Sequence, residues 1–184
     1  MTGAGRPAVF LDRDGTINAE VDYLRDPADL SLLPGAAEAI ARLGAAGFAC
    51  IVVTNQSGIA RGFLDERTLA EIHVRLRALL AAEGAQLDGI YHCPHHPEID
   101  SGAPCDCRKP LPGMLRLAAE EHDLDLSRSF VIGDSPRDLE AGLALGVPGF
   151  LVETGKSVDA AAHERYTVVA DLPAAVDALL AARA

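Results

Sequence analysis

Short apolar runs that end in polar residues alternate along the chain with Ala- and Leu-rich stretches of helical period. That is the pattern of a parallel sheet flanked by helices. The runs predict strands at about Ala8–Leu11, Phe48–Val53, Gly89–His92, Ser129–Ile132 and Gly149–Val152, with a weaker one at Tyr166–Val169. The stretches between them predict helices near Ala36–Ala46, Glu66–Glu83, Gly113–His122, Arg137–Leu145 and Pro173–Ala182. In the second helix Leu69, Ile72, Leu76, Leu79 and Leu80 share one stripe, with His73 on its border as a helix-flank residue. No repeat of solenoid period and no Pro/Gly/Ser linker divides the chain, so residues 1–184 are expected to form a single domain. The fold class is α/β: a Rossmann-like three-layer α/β/α sandwich around a central, mostly parallel sheet.

Composition narrows the picture. With 49% hydrophobic and 23% charged residues the chain is globular, and with 4% aromatics and no Trp its core must be aliphatic. The formal net charge of −11 argues against a nucleic-acid or anionic-membrane partner, so an anionic ligand needs a local basic cluster. The longest apolar run, Phe48 to Val53, falls far short of the ~20 residues that cross a bilayer. Met1 to Arg6 carry no secretory signal pattern, and a cytoplasmic, reducing setting is expected. There Cys50, Cys93, Cys105 and Cys107 are not read as disulfides. Three of them crowd beside histidines, which points to metal.

The least regular segments, Asn18–Pro34, Asn55–Leu64 and Cys93–Pro112, each follow a strand or its first turn. In open α/β sheets ligands bind outside the carboxyl ends of strands, so these loops should surround the site. The first strand runs into Asp12-Arg13-Asp14-Gly15-Thr16, where two acids at i and i+2 can bring both carboxylates near one point. A bare D-x-D is more often a loop capping its own amides. Here it is joined by Thr54-Asn55, Arg108-Lys109-Pro110 and Gly133-Asp134-Ser135-Pro136-Arg137-Asp138, four polar clusters at four strand-end positions.

Asp12–Thr16, Thr54, Lys109 and Gly133–Asp138 resemble the D-x-D-G-T, Thr/Ser, Lys and G-D-x-x-x-D elements of the haloacid dehalogenase-like phosphohydrolases. The stretches FLDRDGTIN, VVTNQSGIARG, YHCPHHP and CDCRKPLPGM are more narrowly similar to the heptose bisphosphate phosphatases of that superfamily. The resemblance implies a Mg2+-dependent phosphatase that forms an aspartyl-phosphate. Its expected substrate is the C7 phosphate of a small sugar, D-glycero-D-manno-heptose 1,7-bisphosphate, on the way to nucleotide-activated heptose. Histidinol-phosphate phosphatases are the nearest rival, and a non-catalytic phosphosugar-binding protein is a reading from another class.

Phosphate esters are anions, so hydrolysis needs an approaching nucleophile, cations, and an acid for the leaving oxygen. Asp12 is the expected nucleophile and Asp14 the acid and base, its pKa raised by acidic surroundings. Thr54 would donate to a phosphoryl oxygen and Lys109 would neutralise charge. Asp12, Asp134 and the backbone carbonyl of Asp14 would hold Mg2+. Asp138, one helical turn after Asp134, either orients the metal shell or is an ordinary helix N-terminal carboxylate, and stays outside the catalytic set.

Cys93, His95, Cys105 and Cys107 offer three thiols and an imidazole, a zinc-type set whose alternative is unliganded reduced cysteine. The resemblance implies a structural zinc on these four and favours His95 over its neighbour His96. His92 is read as a strand residue and Cys50 as a small buried hydrophobe. No gap between motifs is long enough for a large cap domain, so loops must set specificity. The resemblance carries substrate contacts onto Glu20, Asp22, Tyr23, Asn55, Gln56, Ser57, Arg108 and Ser135. Ser135 departs from relatives that carry Lys there, leaving Arg61 and Arg137 as candidate replacements. A monomer is the default expectation.

Overall fold

The structure, a computed structural model, describes residues 5–100, 105–155 and 160–182. The outer ends of the expected domain and residues 101–104 of the Cys93–Pro112 loop lie outside this range. The elements run β1 (Ala8–Leu11), α1 (Ala36–Ala45), β2 (Ala49–Asn55), α2 (Glu66–Ala82), β3 (Gly89–Cys93) and α3 (Gly113–Glu121). They continue with β4 (Phe130–Gly133), α4 (Pro136–Leu143), β5 (Gly149–Val152), α5 (Ala160–Arg165), β6 (Thr167–Val169) and α6 (Leu172–Ala181). The six strands form one sheet in the order β3-β2-β1-β4-β5-β6, and every pairing is parallel.

The alternation of side chains along β1 builds the layers. Val9 and Leu11 join one core with Ile40 and Leu43 of α1, Ile72, Leu76 and Leu80 of α2, and Val176 and Leu179 of α6. Ala8 and Phe10 point the other way, into a core with Met114, Leu115 and Ala118 of α3 and Ala141 of α4. A strand covered on both faces must be apolar throughout, which is why β1 reads as an unbroken hydrophobic run. The Asp65 side chain caps α2 by accepting from the Thr68 N–H at 2.8 Å, and Asp171 caps α6 the same way from Ala174 at 2.8 Å.

Two departures from the sequence pattern have physical causes. Strand β2 continues past Val53 because Thr54 and Asn55 still pair with His92 and Cys93 of β3, so the ladder carries polar residues that hydropathy would end on. Helix α5 is too short for a readable period, and its Ala162 packs in a small cluster with Leu139 and Leu151. No helix among the described residues is long and apolar enough to cross a membrane.

Candidate active site and metal centre

The strand order reverses at β1, with β2 on one side and β4 on the other, and such a reversal opens a crevice at the carboxyl ends. The polar clusters stand at that edge. Asp12 follows β1 directly and its N–H extends the ladder to the Ile132 carbonyl at 3.0 Å. Thr54 lies near the end of β2, and Asp134 follows β4. Gly15 turns the chain with φ 80°, and a Cβ there would stand 2.6 Å from Asp134 Oδ2. A Cβ on Gly155 would also collide with the Asp134 carboxylate, so two glycines cradle this group.

Lys109 reaches the cluster from the cysteine loop. Its Nζ lies 2.8 Å from Asp12 Oδ1 and 2.7 Å from Asp138 Oδ1, and donates to the Val53 carbonyl at 2.7 Å. Burial opposes the charge on Lys109, but the two carboxylates overcome it and hold its pKa above the ordinary lysine range. Asn55 fixes the Lys109 backbone on both sides, donating to its carbonyl and accepting its N–H, each at 3.0 Å. Asp138 also accepts the Ser135 N–H at 3.0 Å, so its two oxygens hold Lys109 and cap α4. Burial pushes the Asp138 carboxyl up to about 6; Lys109 restrains that rise and the nearby Asp12 adds to it. One ligand oxygen from each of Asp12, Asp134 and Asp138 lies within 4.8 Å of the others. An all-oxygen, net-negative set of this kind fits a hard divalent cation such as Mg2+.

Asp14 differs from the expectation. Burial raises its pKa, yet Arg13, Asn18 and Gln56 outweigh burial and leave it below the ordinary value. Acidic neighbours do not set this group; a buried arginine does. The Arg13 Nε and Nη2 donate to Asp14 Oδ1 at 3.1 and 3.0 Å, and Nη2 also donates to Oδ2 at 2.7 Å. Asn18 Nδ2 donates to Oδ1 and Gln56 Nε2 to Oδ2, both at 2.9 Å. Gln56 Nε2 also donates to Thr54 Oγ1 at 2.8 Å. Behind Arg13 stands His73 of α2, its Nε2 3.3 Å from Arg13 Nη1. Burial, then the charge of Arg13, push the His73 pKa down to about 3, so the ring is neutral. The sequence reading assigned Arg13 and Asn18 no role and took His73 for a helix-flank residue only, whereas the structure turns its ring onto Arg13. The one available signal was a cation between two acids in Asp12-Arg13-Asp14.

A cavity of about 250 Å³ is lined by Asp12, Asp14, Thr54, Lys109 and Asp134 together with Glu20, Asp22, Tyr23, Asn55, Gln56, Ser57, Arg108 and Ser135. The fold thus brings the expected catalytic and substrate residues to one place. Within it the amides of Asn55 and Gln56 are turned onto Lys109 and onto Asp14 and Thr54. Arg137 also lines the cavity, whereas Arg61 bonds the His96 Nε2 at 2.8 Å and lies 5.8 Å from the Tyr23 ring centroid. Tyr23 has φ 56° and packs edge-on against Phe63 at 4.7 Å, which ties the loop after β1 to the loop after β2.

The second cluster lies next to the first along the chain. Cys93 Sγ is 3.6 Å from His95 Nδ1 and 3.8 Å from Cys105 Sγ, and Cys107 Sγ is 3.4 Å from His95 Nδ1. All four ligand atoms lie within 4.8 Å of one another. Tetrahedral ligands at about 2.0–2.3 Å from one zinc stand roughly 3.5–3.8 Å apart, so the spacing and the soft donor set fit that ion. The 3.8 Å sulfur separation is far from a disulfide. His96 faces away, toward Arg61 and the Glu98 N–H. Burial pushes the Cys93 and Cys107 thiols up, a tendency a bound cation reverses. Cys50 is buried in the core, its thiol also pushed up to about 12 by burial.

Comparison with known proteins gives the chain's family. The family described as HAD-hydrolase-like matches residues 106–175. The D-glycero-beta-D-manno-heptose-1,7-bisphosphate 7-phosphatase of Photorhabdus laumondii is 44% identical over 180 residues, covering 94% of this chain and 96% of that protein. The enzyme of the same name from Pseudomonas aeruginosa is 45% identical over 179 residues, covering 95% and 98%. Among solved structures, the D,D-heptose 1,7-bisphosphate phosphatase of B. bronchiseptica, complexed with magnesium and phosphate, superposes with a TM-score of 0.85. It is 41% identical, with 96% of this chain and 99% of that one covered. The chain belongs to the haloacid dehalogenase-like hydrolases and, within them, to the family of the D-glycero-D-manno-heptose-1,7-bisphosphate 7-phosphatases.

Proposed function

We propose that this protein is a Mg2+-dependent phosphatase that removes the C7 phosphate of D-glycero-D-manno-heptose 1,7-bisphosphate through an aspartyl-phosphate on Asp12. The observation that carries the reading is the buried Lys109 ammonium 2.8 Å from the Asp12 carboxylate, in a cavity that Asp14 and Asp134 also line. The names of the relatives favour this substrate over histidinol phosphate. Asp12 attacks phosphorus, Lys109 offsets the charge that gathers on the phosphoryl oxygens, and the Thr54 hydroxyl donates to one of them. Asp14, held as an anion by Arg13, Asn18 and Gln56, takes up a proton as the negative phosphate binds beside it, hands that proton to the departing C7 oxygen, and recovers one from the water that then opens the aspartyl-phosphate. Asp12, Asp134 and the Asp14 carbonyl would hold Mg2+, which when bound screens the nucleophilic carboxylate from the phosphate anion.

At the far end of the substrate, Arg108 meets the C1 phosphate, with Arg137 supplying the cation that Ser135 does not. Glu20, Asp22, Tyr23 and Ser57 border the sugar. Zinc on Cys93, His95, Cys105 and Cys107 has a closed protein shell and is structural, fixing the loop that delivers Arg108 and Lys109. The reading includes a single-domain, monomeric, cytoplasmic enzyme acting on a small molecule.

The test is phosphate release with Mg2+ from the 1β,7-bisphosphate, the anomer in the relatives' names, with histidinol phosphate alongside. Rapid release that leaves heptose 1-phosphate, seen by phosphorus NMR, is the expected result. Loss of the C1 phosphate, or turnover of histidinol phosphate alone, would contradict it.

A further inference from the structure

The reaction just described asks Asp14 to face a leaving oxygen at one moment and an incoming water at the next. Its carboxylate accepts five hydrogen bonds here, three of them from Arg13. A carboxylate has about four lone-pair sites, so its orientation is set by these donors. Arg13 dominates them, since a planar guanidinium fixes the plane of the group it grips.

What fixes Arg13 itself lies outside the cavity lining. Its side chain is 1% exposed, so it cannot be held by bulk water. The nitrogen turned away from Asp14, Nη1, stands 3.3 Å from His73 Nε2. Arginine carries donors only, so the imidazole must offer its Nε2 lone pair, with its proton at Nδ1. The His73 ring lies 5.8 Å from that of His92, which is tied through Nε2 to Glu66 Oε2 at 2.9 Å, in the first turn of the same helix. Arg13 is thus gripped at both ends.

We propose that Arg13 and His73 are a positioning pair for proton transfer: Arg13 aims Asp14, and His73 aims Arg13. The proposal rests on the phosphatase reading. As the Asp12 oxygen bonds to phosphorus, the ester P–O bond breaks and its electron pair stays on the leaving oxygen, which takes the Asp14 proton. Asp14 becomes the anion that Arg13 already faces. In the second step water bonds to phosphorus, its proton passes to Asp14, and the bond from phosphorus to the Asp12 oxygen breaks. Arg13 and His73 exchange no proton in either step.

The test compares kcat/KM for two esters, because this ratio reports events up to departure of the leaving group. The sugar bisphosphate leaves as a poor alkoxide that needs Asp14, whereas p-nitrophenyl phosphate leaves as a stable phenolate that does not. For Arg13→Lys we expect about 100-fold loss on the sugar ester, the scale of an ångström of misplacement, and under ~5-fold on the nitrophenyl ester. His73→Leu should lose about 10-fold with the same selectivity, and His73→Gln, whose amide oxygen can accept from Arg13, should return to within ~3-fold of wild type. Should Arg13→Lys fail to fold, the two His73 variants carry the test. Equal losses on both esters, or a His73→Leu enzyme as active as wild type on the sugar, would overturn the proposal. Wild-type protein inert toward both esters would bring down the phosphatase reading itself.

Discussion

Lys109 is held by Asp12, Asp138 and the Val53 carbonyl, all of them anchored on strand ends or a capped helix. Cys105 and Cys107, a few residues earlier in the chain, sit on a loop that among the described residues is tied by backbone hydrogen bonds and exposed side chains and by no buried ion pair. The Gly113 N–H reaches the Asp106 carbonyl at 2.9 Å, the Gln56 N–H reaches the Cys93 carbonyl at 2.7 Å, and Arg108 Nη1 donates to the His95 carbonyl at 3.0 Å. The Ala60 N–H also reaches the Pro94 carbonyl at 3.3 Å and Arg116 Nη1 lies 3.7 Å from Asp106 Oδ2, and between these ties three thiols and an imidazole face one another. The catalytic cluster is tied to strand ends and a helix cap through a buried cation, whereas the cysteine cluster brings together four soft donors whose proposed zinc would supply the missing tie. The two are one residue apart at Arg108, so disorder in the second would be felt in the first.

Removing the nucleophile gives the largest effect. Asp12→Asn should lower phosphate release at least ~10⁴-fold, since covalent catalysis loses its attacking group, while the melting temperature holds. Unfolding of that variant would mean the cluster is less preorganised than this. Next comes Lys109→Met, which leaves two carboxylates in a buried site with no cation. A loss of about 3–5 kcal/mol in urea unfolding is expected, with activity down about 10³-fold. A stable, active Lys109→Met protein would refute the role of the buried ammonium.

The cysteine loop should respond more mildly. Stripping zinc with a chelator, or Cys107→Ser, is expected to lower the melting temperature by several degrees and activity about 10-fold, with zinc restoring the stripped protein. Full activity and an unchanged melting temperature in verified zinc-free protein would erase the contrast between the two clusters.

The smallest expected effect is a pH dependence. His73 titrates at about 3 in the folded protein against 6.5 ordinarily, so the unfolded chain binds its proton first as pH falls. The stability it contributes is present above pH 6.5 and drains away between 6.5 and 3, at about 1.4 kcal/mol per pH unit. Measured by urea unfolding at pH 7.5 and pH 5, His73→Gln should gain on wild type by about 2 kcal/mol at the lower pH. Parallel stabilities at both values would contradict a neutral, buried His73.

Much of this was legible in the sequence, and the limits have physical causes. A sheet buried on both faces writes its strands as apolar runs, so Ala8–Leu11 and Gly149–Val152 are read to the residue. Parallel strands end at one edge, so polar residues following each run mark the site, as Asp12 and Asp134 do. Hydropathy cannot follow a ladder into polar residues, which hides the end of β2 at Asn55. Nor can it say which way a buried charge turns. Arg13 reads as a spacer between two acids until the fold points it at Asp14 and His73, and that reversed the expected shift of the Asp14 pKa. Asn55 and Gln56 belong to the expected loop, but their inward amides follow from where Lys109 and Asp14 are in space.

The most direct measurement of the central claim is acid quenching within the first turnover of enzyme mixed with Mg2+ and heptose bisphosphate radiolabelled at the C7 phosphate, followed by peptide mapping. The account predicts label on Asp12 that appears before free phosphate and disappears as phosphate is released. Phosphate passing directly to water with no labelled protein, or label on any other residue, would contradict it.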